Sequence, residues 1–109
     1  MNKHILVYSL NGCPTCATLF KELDSSNVIY EKHVCEDVSD ECDDLEDYVG
    51  CSSYPIVVET TLPERKKAYH CVKKTAGGAQ RKTTSLSETD TLHVYFSLKS
   101  LIDTLITNK

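Results

Sequence analysis

The sequence predicts an α/β fold of one domain over residues 1–109, with a mixed sheet of about four strands and helices on both faces. Two observations lead to this class. A chain of 109 residues suits a single hydrophobic core. Short runs rich in β-branched and aromatic residues alternate with segments of helical apolar spacing, in the order βαβ, helix, β-hairpin, helix.

The first half of the chain predicts a βαβ unit. Residues 5–9 form a compact apolar run that predicts a strand buried on both faces. Residues 14–24 predict a helix, because their apolar residues recur every three or four positions and Pro14 suits the first helical position. Alternation over residues 28–34 predicts a second, more exposed strand, which a right-handed crossover makes parallel to the first.

The middle of the chain predicts an acidic helix followed by a hairpin. Ser39 or Asp40 can cap the helix, and Gly50 is expected to end it. Residues 55–59 predict a third strand, since a proline is tolerated as the first residue of a strand. Residues 68–73 predict a fourth strand, and the short turn between the two makes them antiparallel.

The last third predicts a loop and a helix. Residues 75–90 contain a glycine pair and many Ser, Thr and Lys residues, which predicts a long, mobile loop. Apolar residues at helical spacing then predict an amphipathic helix that begins between residues 90 and 97. Alternatively, residues 92–96 form an additional strand.

Charge and hydropathy argue against several classes of protein. The formal net charge of −4 argues against nonspecific nucleic-acid binding, which requires a basic face to displace counterions from phosphate. No apolar stretch approaches the roughly 20 residues that span a bilayer. The apolar run at the N-terminus is too short for a signal peptide, so we expect a cytoplasmic protein without a secreted disulfide framework.

The sequence Cys13-Pro14-Thr15-Cys16 carries the candidate chemistry. A thiol attacks a disulfide as its thiolate, so the attacking sulfur must be held as an anion within reach of solvent. Cys13 lies where the first strand passes into the first helix, and unpaired N–H groups at a helix N-terminus stabilise an anion. Cys16 lies one turn deeper and can resolve a mixed disulfide formed at Cys13. We therefore expect dithiol exchange.

This motif, together with a second one, resembles a known family. The four-residue motif after a short apolar strand, followed by Ser53-Tyr54-Pro55 at the start of another strand, is similar to the glutaredoxin branch of the thioredoxin superfamily. The resemblance implies a thioredoxin-like fold, a cis bond before Pro55, and a substrate cysteine that is oriented by the backbone of Tyr54. The long segment 75–90 is similar to that of divergent viral glutaredoxin-like proteins.

Some positions depart from the family pattern. Leu10 stands where the family usually has a Lys or Arg that helps to bind a glutathione carboxylate, and Thr15 stands where a Tyr or Phe is common. Gly77-Gly78 resembles the glycine pair of the family's glutathione site, but the acidic residue that usually follows is missing. Two substrates therefore stay open, a protein disulfide and a glutathione mixed disulfide. No bound cofactor is expected, and glutathione or a reductase would regenerate the dithiol.

Two other uses of Cys13 and Cys16 stay open. A Cys-Pro-X-Cys turn also holds zinc, although no second Cys-X-X-Cys is present to complete a tetrahedral site. The fold can also serve as a non-enzymatic binding module. We expect redox chemistry, because an amphipathic helix follows the motif directly.

The other four cysteines match no common ligand spacing. They are expected to be buried or incidental thiols, and the alternatives are a regulatory disulfide pair or, together with histidines, a metal site. The residues concerned are Cys35, Cys42, Cys51 and Cys71, with His33 and His70.

Overall fold

The computed structural model describes residues 2–73 and 81–107, and within them three helices pack against one six-stranded sheet. None of these helices is both long enough and apolar enough to cross a membrane. In chain order the elements are β1 (Asn2–Ser9), α1 (Pro14–Ser25), β2 (Glu31–Val34), α2 (Ser39–Val49), β3 (Ile56–Leu62), β4 (Lys66–Val72), β5 (Arg81–Ser85), β6 (Asp90–Tyr95) and α3 (Leu98–Thr107). The strands lie side by side in the order β2-β1-β3-β4-β6-β5.

Strand pairing brings both sequence motifs to the same end of the neighbouring central strands. β1 is parallel to β2 and antiparallel to β3, and β3 and β4 form the predicted antiparallel hairpin. Tyr8 near the end of β1 therefore lies opposite Ile56 at the start of β3. Ser9 lies opposite Val34 at the end of β2. The segment that follows β1 and the segment that precedes β3 therefore lie next to each other, at the same end of these two strands.

The helices cover both faces of the sheet, as the sequence predicts. α1 and α3 pack on one face, where Leu19, Leu23 and Leu101 are fully buried. α2 packs on the other face through Leu45 and Val49. Burying a leucine side chain contributes about 1.5–3 kcal/mol relative to leaving it exposed. The core therefore fixes the orientation of α1, and with it the position of the motif at the start of this helix.

The prediction of about four strands is wrong, because two further strands extend one side of the sheet. β6 runs parallel to β4, and β5 pairs antiparallel with β6. The predicted loop over residues 75–90 contains β5, and its last residue begins β6. β5 lies at the edge of the sheet and has a polar sequence, so it lacks the apolar alternation of a half-buried strand. The alternative of a strand over residues 92–96 is confirmed by β6, and α3 begins after it at Leu98.

Local signals predict most of the helix ends. α1 begins at Pro14, and α2 ends before Gly50, whose φ of 72° is a left-handed conformation that glycine adopts at little cost. The predicted cap of α2 is wrong, since Val38 occupies that position and makes no side-chain capping hydrogen bond. A backbone turn precedes the helix, in which the Val38 N–H donates a 3.2 Å hydrogen bond to the Cys35 carbonyl. β2 is limited to the residues that pair with β1.

Glu59, His70 and Tyr95 form a buried polar cluster in the sheet, away from the motifs, and the exposed Lys3 pairs with it. Glu59 is 7% exposed, and its two carboxylate oxygens lie 2.9 Å from His70 Nε2 and 3.2 Å from Lys3 Nζ. His70 Nδ1 lies 2.8 Å from the Tyr95 hydroxyl oxygen. Burial by itself raises the pKa of Glu59, but the interactions with His70 and then with Lys3 outweigh burial and lower it. Glu59 is therefore a paired, ionised carboxylate.

Candidate active site

Cys13 lies at the N-terminal end of α1. The helix begins with Pro14, and the Sγ of Cys13 occupies the capping position, where it accepts a hydrogen bond from Cys16 N–H at 3.2 Å. Gly12 has a φ of 70°, which allows the chain to turn sharply between β1 and the helix. The positive end of the helix dipole and this N–H favour negative charge on the sulfur. The local structure is the one expected for a thiolate that is stabilised by a helix.

The two sulfurs of the motif are bonded to each other. Cys13 and Cys16 form a disulfide whose Cα atoms are 5.3 Å apart. Cys13 is half-buried, whereas Cys16 is 2% exposed and belongs to the core side of the helix. The outer sulfur is therefore within reach of a second molecule, and the inner sulfur is shielded from it. This difference in exposure suits an attacking and a resolving thiol.

The second motif lies beside the first at this end of the strands. The Tyr54–Pro55 peptide bond is cis, as the resemblance implies, and Pro55 is fully buried. The carbonyl oxygen of Tyr54 lies 3.8 Å from Cys13 Sγ; this sulfur has no hydrogen in the disulfide, so the approach is a contact. Thr15 Oγ1 donates a hydrogen bond to the same carbonyl at 3.2 Å. Ser53 is exposed beside them.

The side chain of Tyr54 anchors the second motif to α2. Its hydroxyl donates a 2.6 Å hydrogen bond to Glu46 Oε2. Burial, and after it this hydrogen bond, raises the pKa of the Tyr54 hydroxyl well above its ordinary value. Glu46 is a residue that sequence reasoning missed, because nothing distinguishes it from the other carboxylates along an acidic helix.

Two hollows flank the motif. The first has a volume of 310 Å³ and lies between the start of α1 and β2; the second has a volume of 580 Å³ and lies between the two motifs and the start of α3. Each hollow has a lysine in its wall. The first is lined by Leu10, Cys13, Phe20 and Lys32 among others, and the second by Thr15, Ser53, Tyr54, Lys73 and Leu98 among others.

The expectation of incidental thiols at the other cysteines is wrong. They are buried, but Cys35 is bonded to Cys42 and Cys51 to Cys71, so the described chain contains no free cysteine. Spacing along the chain did not reveal these pairs, because they depend on which elements the fold places next to each other. Cys51–Cys71 ties the segment before the second motif to β4.

The remaining predicted site features lie elsewhere. Gly77 and Gly78 lie outside the described residues, so their part in the site stays a prediction. Within residues 2–73 and 81–107, no three His, Cys, Asp or Glu side chains converge in a way that could hold a metal ion. His33 pairs at 3.7 Å with Glu31 on the same strand, and His70 belongs to the buried cluster around Glu59. The structure therefore brings the two motifs together, while His33 and His70 pair with carboxylates outside the site.

Comparison with known protein families gives a match over the same elements. The family model described as Glutaredoxin matches residues 5–60, which run from β1 into β3 and include both motifs. Comparisons with curated proteins and with solved structures found no match.

Proposed function

Since the chain belongs to the glutaredoxin family, we propose that it is a thiol–disulfide oxidoreductase that works through Cys13 and Cys16. The observation that carries this proposal is the disulfide between an accessible sulfur at a helix N-terminus and a shielded sulfur one turn deeper. The amide of Cys16 already donates to the outer sulfur, which supports its role as the anionic partner in the reduced protein. A Cys13–Cys16 disulfide is the oxidised form of the enzyme that dithiol exchange produces.

The reaction has two displacement steps. In the first, the Cys13 thiolate attacks one sulfur of a substrate disulfide, the substrate S–S bond breaks, and the leaving thiolate takes a proton from solvent. In the second, Cys16 loses its proton and attacks Cys13 Sγ, which releases the second substrate thiol and forms the Cys13–Cys16 bond. The substrate gains two electrons, which the enzyme dithiol supplies, and two protons, of which one corresponds to the proton lost by Cys16 and the other comes from solvent. Two thiols of glutathione, or a reductase, return them to the enzyme.

The larger hollow is the proposed place for the substrate. Thr15, Ser53 and Tyr54 line it, and the Tyr54 carbonyl lies next to Cys13 Sγ. An N–H donor on the substrate's cysteine-containing segment can pair with this carbonyl and hold its sulfur close to the attacking atom. Gly77 and Gly78, which resemble the glycine pair of the family's glutathione site, are proposed to take part in substrate binding. Pro14 has no backbone N–H, and the N–H that donates to the Cys13 sulfur is that of Cys16.

The substrate is proposed to be a protein disulfide or a glutathione mixed disulfide, in a cytoplasmic setting and without a bound cofactor. Lys32 and Lys73 give each hollow an ammonium group that can pair with a carboxylate of either substrate. Leu10 lines the smaller hollow at the position where the family usually has a cation, so Lys32 is the basic residue on that side.

A Cys16→Ser variant tests the proposal. Without the resolving thiol, the mixed disulfide with Cys13 should persist, and mass spectrometry of the trapped adduct should identify glutathione or a protein on Cys13. The matched control is Cys13→Ser/Cys16→Ser, which should trap nothing. Failure of C16S to form any adduct from oxidised glutathione or from oxidised cell proteins would contradict the proposal. Stoichiometric zinc in the reduced protein without exchange activity would favour metal binding instead.

A further inference from the structure

Thr15 lies between the attacking sulfur and the carbonyl that faces it. Its Oγ1 atom is 3.2 Å from Cys13 Sγ and 3.2 Å from the carbonyl oxygen of Tyr54. The sulfur and the carbonyl oxygen are 3.8 Å apart, so one hydroxyl is within reach of both. A threonine hydroxyl has one hydrogen and therefore donates to one of these two acceptors at a time.

The redox state of Cys13 decides which acceptor is stronger. In the disulfide, Cys13 Sγ is neutral and already accepts the Cys16 N–H, so the Tyr54 carbonyl is the better partner for Thr15. After reduction, Cys13 Sγ carries a negative charge, and a hydrogen bond to an ionised acceptor is about twice as strong as one between neutral groups. The hydroxyl can change partner by rotating its O–H bond, because both distances are already 3.2 Å.

We propose that Thr15 is a redox-coupled positioning residue, which occupies the Tyr54 carbonyl in the oxidised protein and releases it when Cys13 is reduced. The inference rests on the proposed function, since the released carbonyl is the group that then accepts an N–H from the substrate. Thr15 and Tyr54 both line the larger hollow, so the carbonyl becomes free where a substrate segment can bind. The reduced protein therefore binds its substrate through one more hydrogen bond than the oxidised protein, and oxidation favours release of the product.

The Tyr54 carbonyl can be observed directly by NMR. Tyr54-Pro55 is the single Tyr-Pro pair in the sequence, so labelling with carbonyl-¹³C tyrosine and ¹⁵N proline gives one ¹³C–¹⁵N correlation. In the wild type and in Thr15→Ser, we expect this carbon signal to move upfield on reduction with dithiothreitol, because the carbonyl loses its hydrogen bond. Thr15→Val keeps the shape of the side chain without the hydroxyl, so its signal should lie upfield in both states.

The rate of Cys13 alkylation reports on the hydrogen bond between Thr15 and the reduced Cys13 sulfur. Loss of the hydroxyl should leave a smaller fraction of Cys13 as thiolate at neutral pH, and because a more basic thiolate is also more nucleophilic, the reaction with iodoacetamide should slow by about threefold. Thr15→Ser should restore the wild-type rate, and mass spectrometry of the peptide that contains Cys13 separates this reaction from that of other cysteines. A purely structural role for Thr15 would not produce this rescue.

Two results would overturn the inference. One is a Tyr54 carbonyl signal that moves as far on reduction in Thr15→Val as in the wild type. The other is an unchanged rate of Cys13 alkylation in Thr15→Val. Neither measurement uses turnover, so failure of the proposed function would be seen separately, as a wild-type protein that reduces no disulfide. A wild type that turns over, with a Thr15→Val variant that behaves like it in both measurements, would leave the function standing and remove the switch.

Discussion

Removal of the Cys51–Cys71 disulfide tests the tertiary structure most sharply. Both cysteines are buried, and their bond ties the segment before the cis Tyr54–Pro55 bond to β4. The double variant C51A/C71A removes this link while leaving the Cys13–Cys16 disulfide in place. The matched control is C35A/C42A, which makes the same chemical change at the other buried pair and links elements much closer in sequence.

The size of the effect follows from the loops that the two disulfides close. A disulfide stabilises mainly by restricting the unfolded chain, and the lost entropy grows with the logarithm of the loop length. The Cys51–Cys71 separation of 20 residues corresponds to about 3 kcal/mol at 25 °C. The Cys35–Cys42 separation of 7 residues corresponds to about 2 kcal/mol. We therefore expect C51A/C71A to be the less stable variant by about 1 kcal/mol.

Urea unfolding under non-reducing conditions measures this difference. The free energy of unfolding of each double variant is compared with that of the wild type, followed by fluorescence and circular dichroism to establish a two-state transition. Alkylation of the unfolded wild type without reductant should modify no cysteine, which establishes that the disulfides are present. A C51A/C71A variant that is as stable as the wild type, or a C35A/C42A variant that loses more stability than C51A/C71A, would contradict this expectation.

Two further predictions concern the charged and aromatic partners. Glu59→Gln should lower the free energy of unfolding by about 2 kcal/mol at neutral pH, because His70 and Lys3 lose a buried carboxylate. Since the pKa of Glu59 is lowered in the folded protein, the wild type should lose this advantage only as the pH falls below about 4, which acid titration of both proteins by circular dichroism can follow. Tyr54→Phe should cost about 1 kcal/mol in urea unfolding by removing the hydrogen bond to Glu46. Because the pKa of the Tyr54 hydroxyl is raised, this stability difference should persist at pH values near 10, where a free tyrosine ionises. A Tyr54→Phe variant that is as stable as the wild type would contradict the role given to the hydrogen bond with Glu46.

The first helix and its motif could be predicted because their determinants are local. Pro14 suits the first helical position, and Cys13 and Cys16 lie one turn apart, so a hydrogen bond between residues three positions apart creates the capped sulfur. The apolar stripe that orients α1 is also visible in the sequence, since it depends on helical periodicity. No distant contact is needed to place Cys13 at the helix N-terminus and Cys16 one turn deeper.

The sheet edge was mispredicted because edge strands obey different rules. β5 pairs on one side with β6 and leaves its other side unpaired, so its polar and β-branched residues need no apolar partner. In the sequence, the same composition resembles a loop. Only the presence of β6 beside β4 makes these residues a strand, and that neighbour is set by the order of the sheet.

The sequence by itself determined the α/β class and the capped dithiol at the start of α1, because both depend on residue type and on spacing within a turn or a strand, whereas the second motif was identified by its resemblance to the family. The tertiary structure decided which groups meet across the fold: the partner of each buried cysteine, the carboxylate that holds Tyr54, and the carbonyl that approaches Cys13. These contacts join residues that are 7 to 41 positions apart. Their distances are set by how strands pair and how helices pack on them, and no local pattern of residues encodes that geometry.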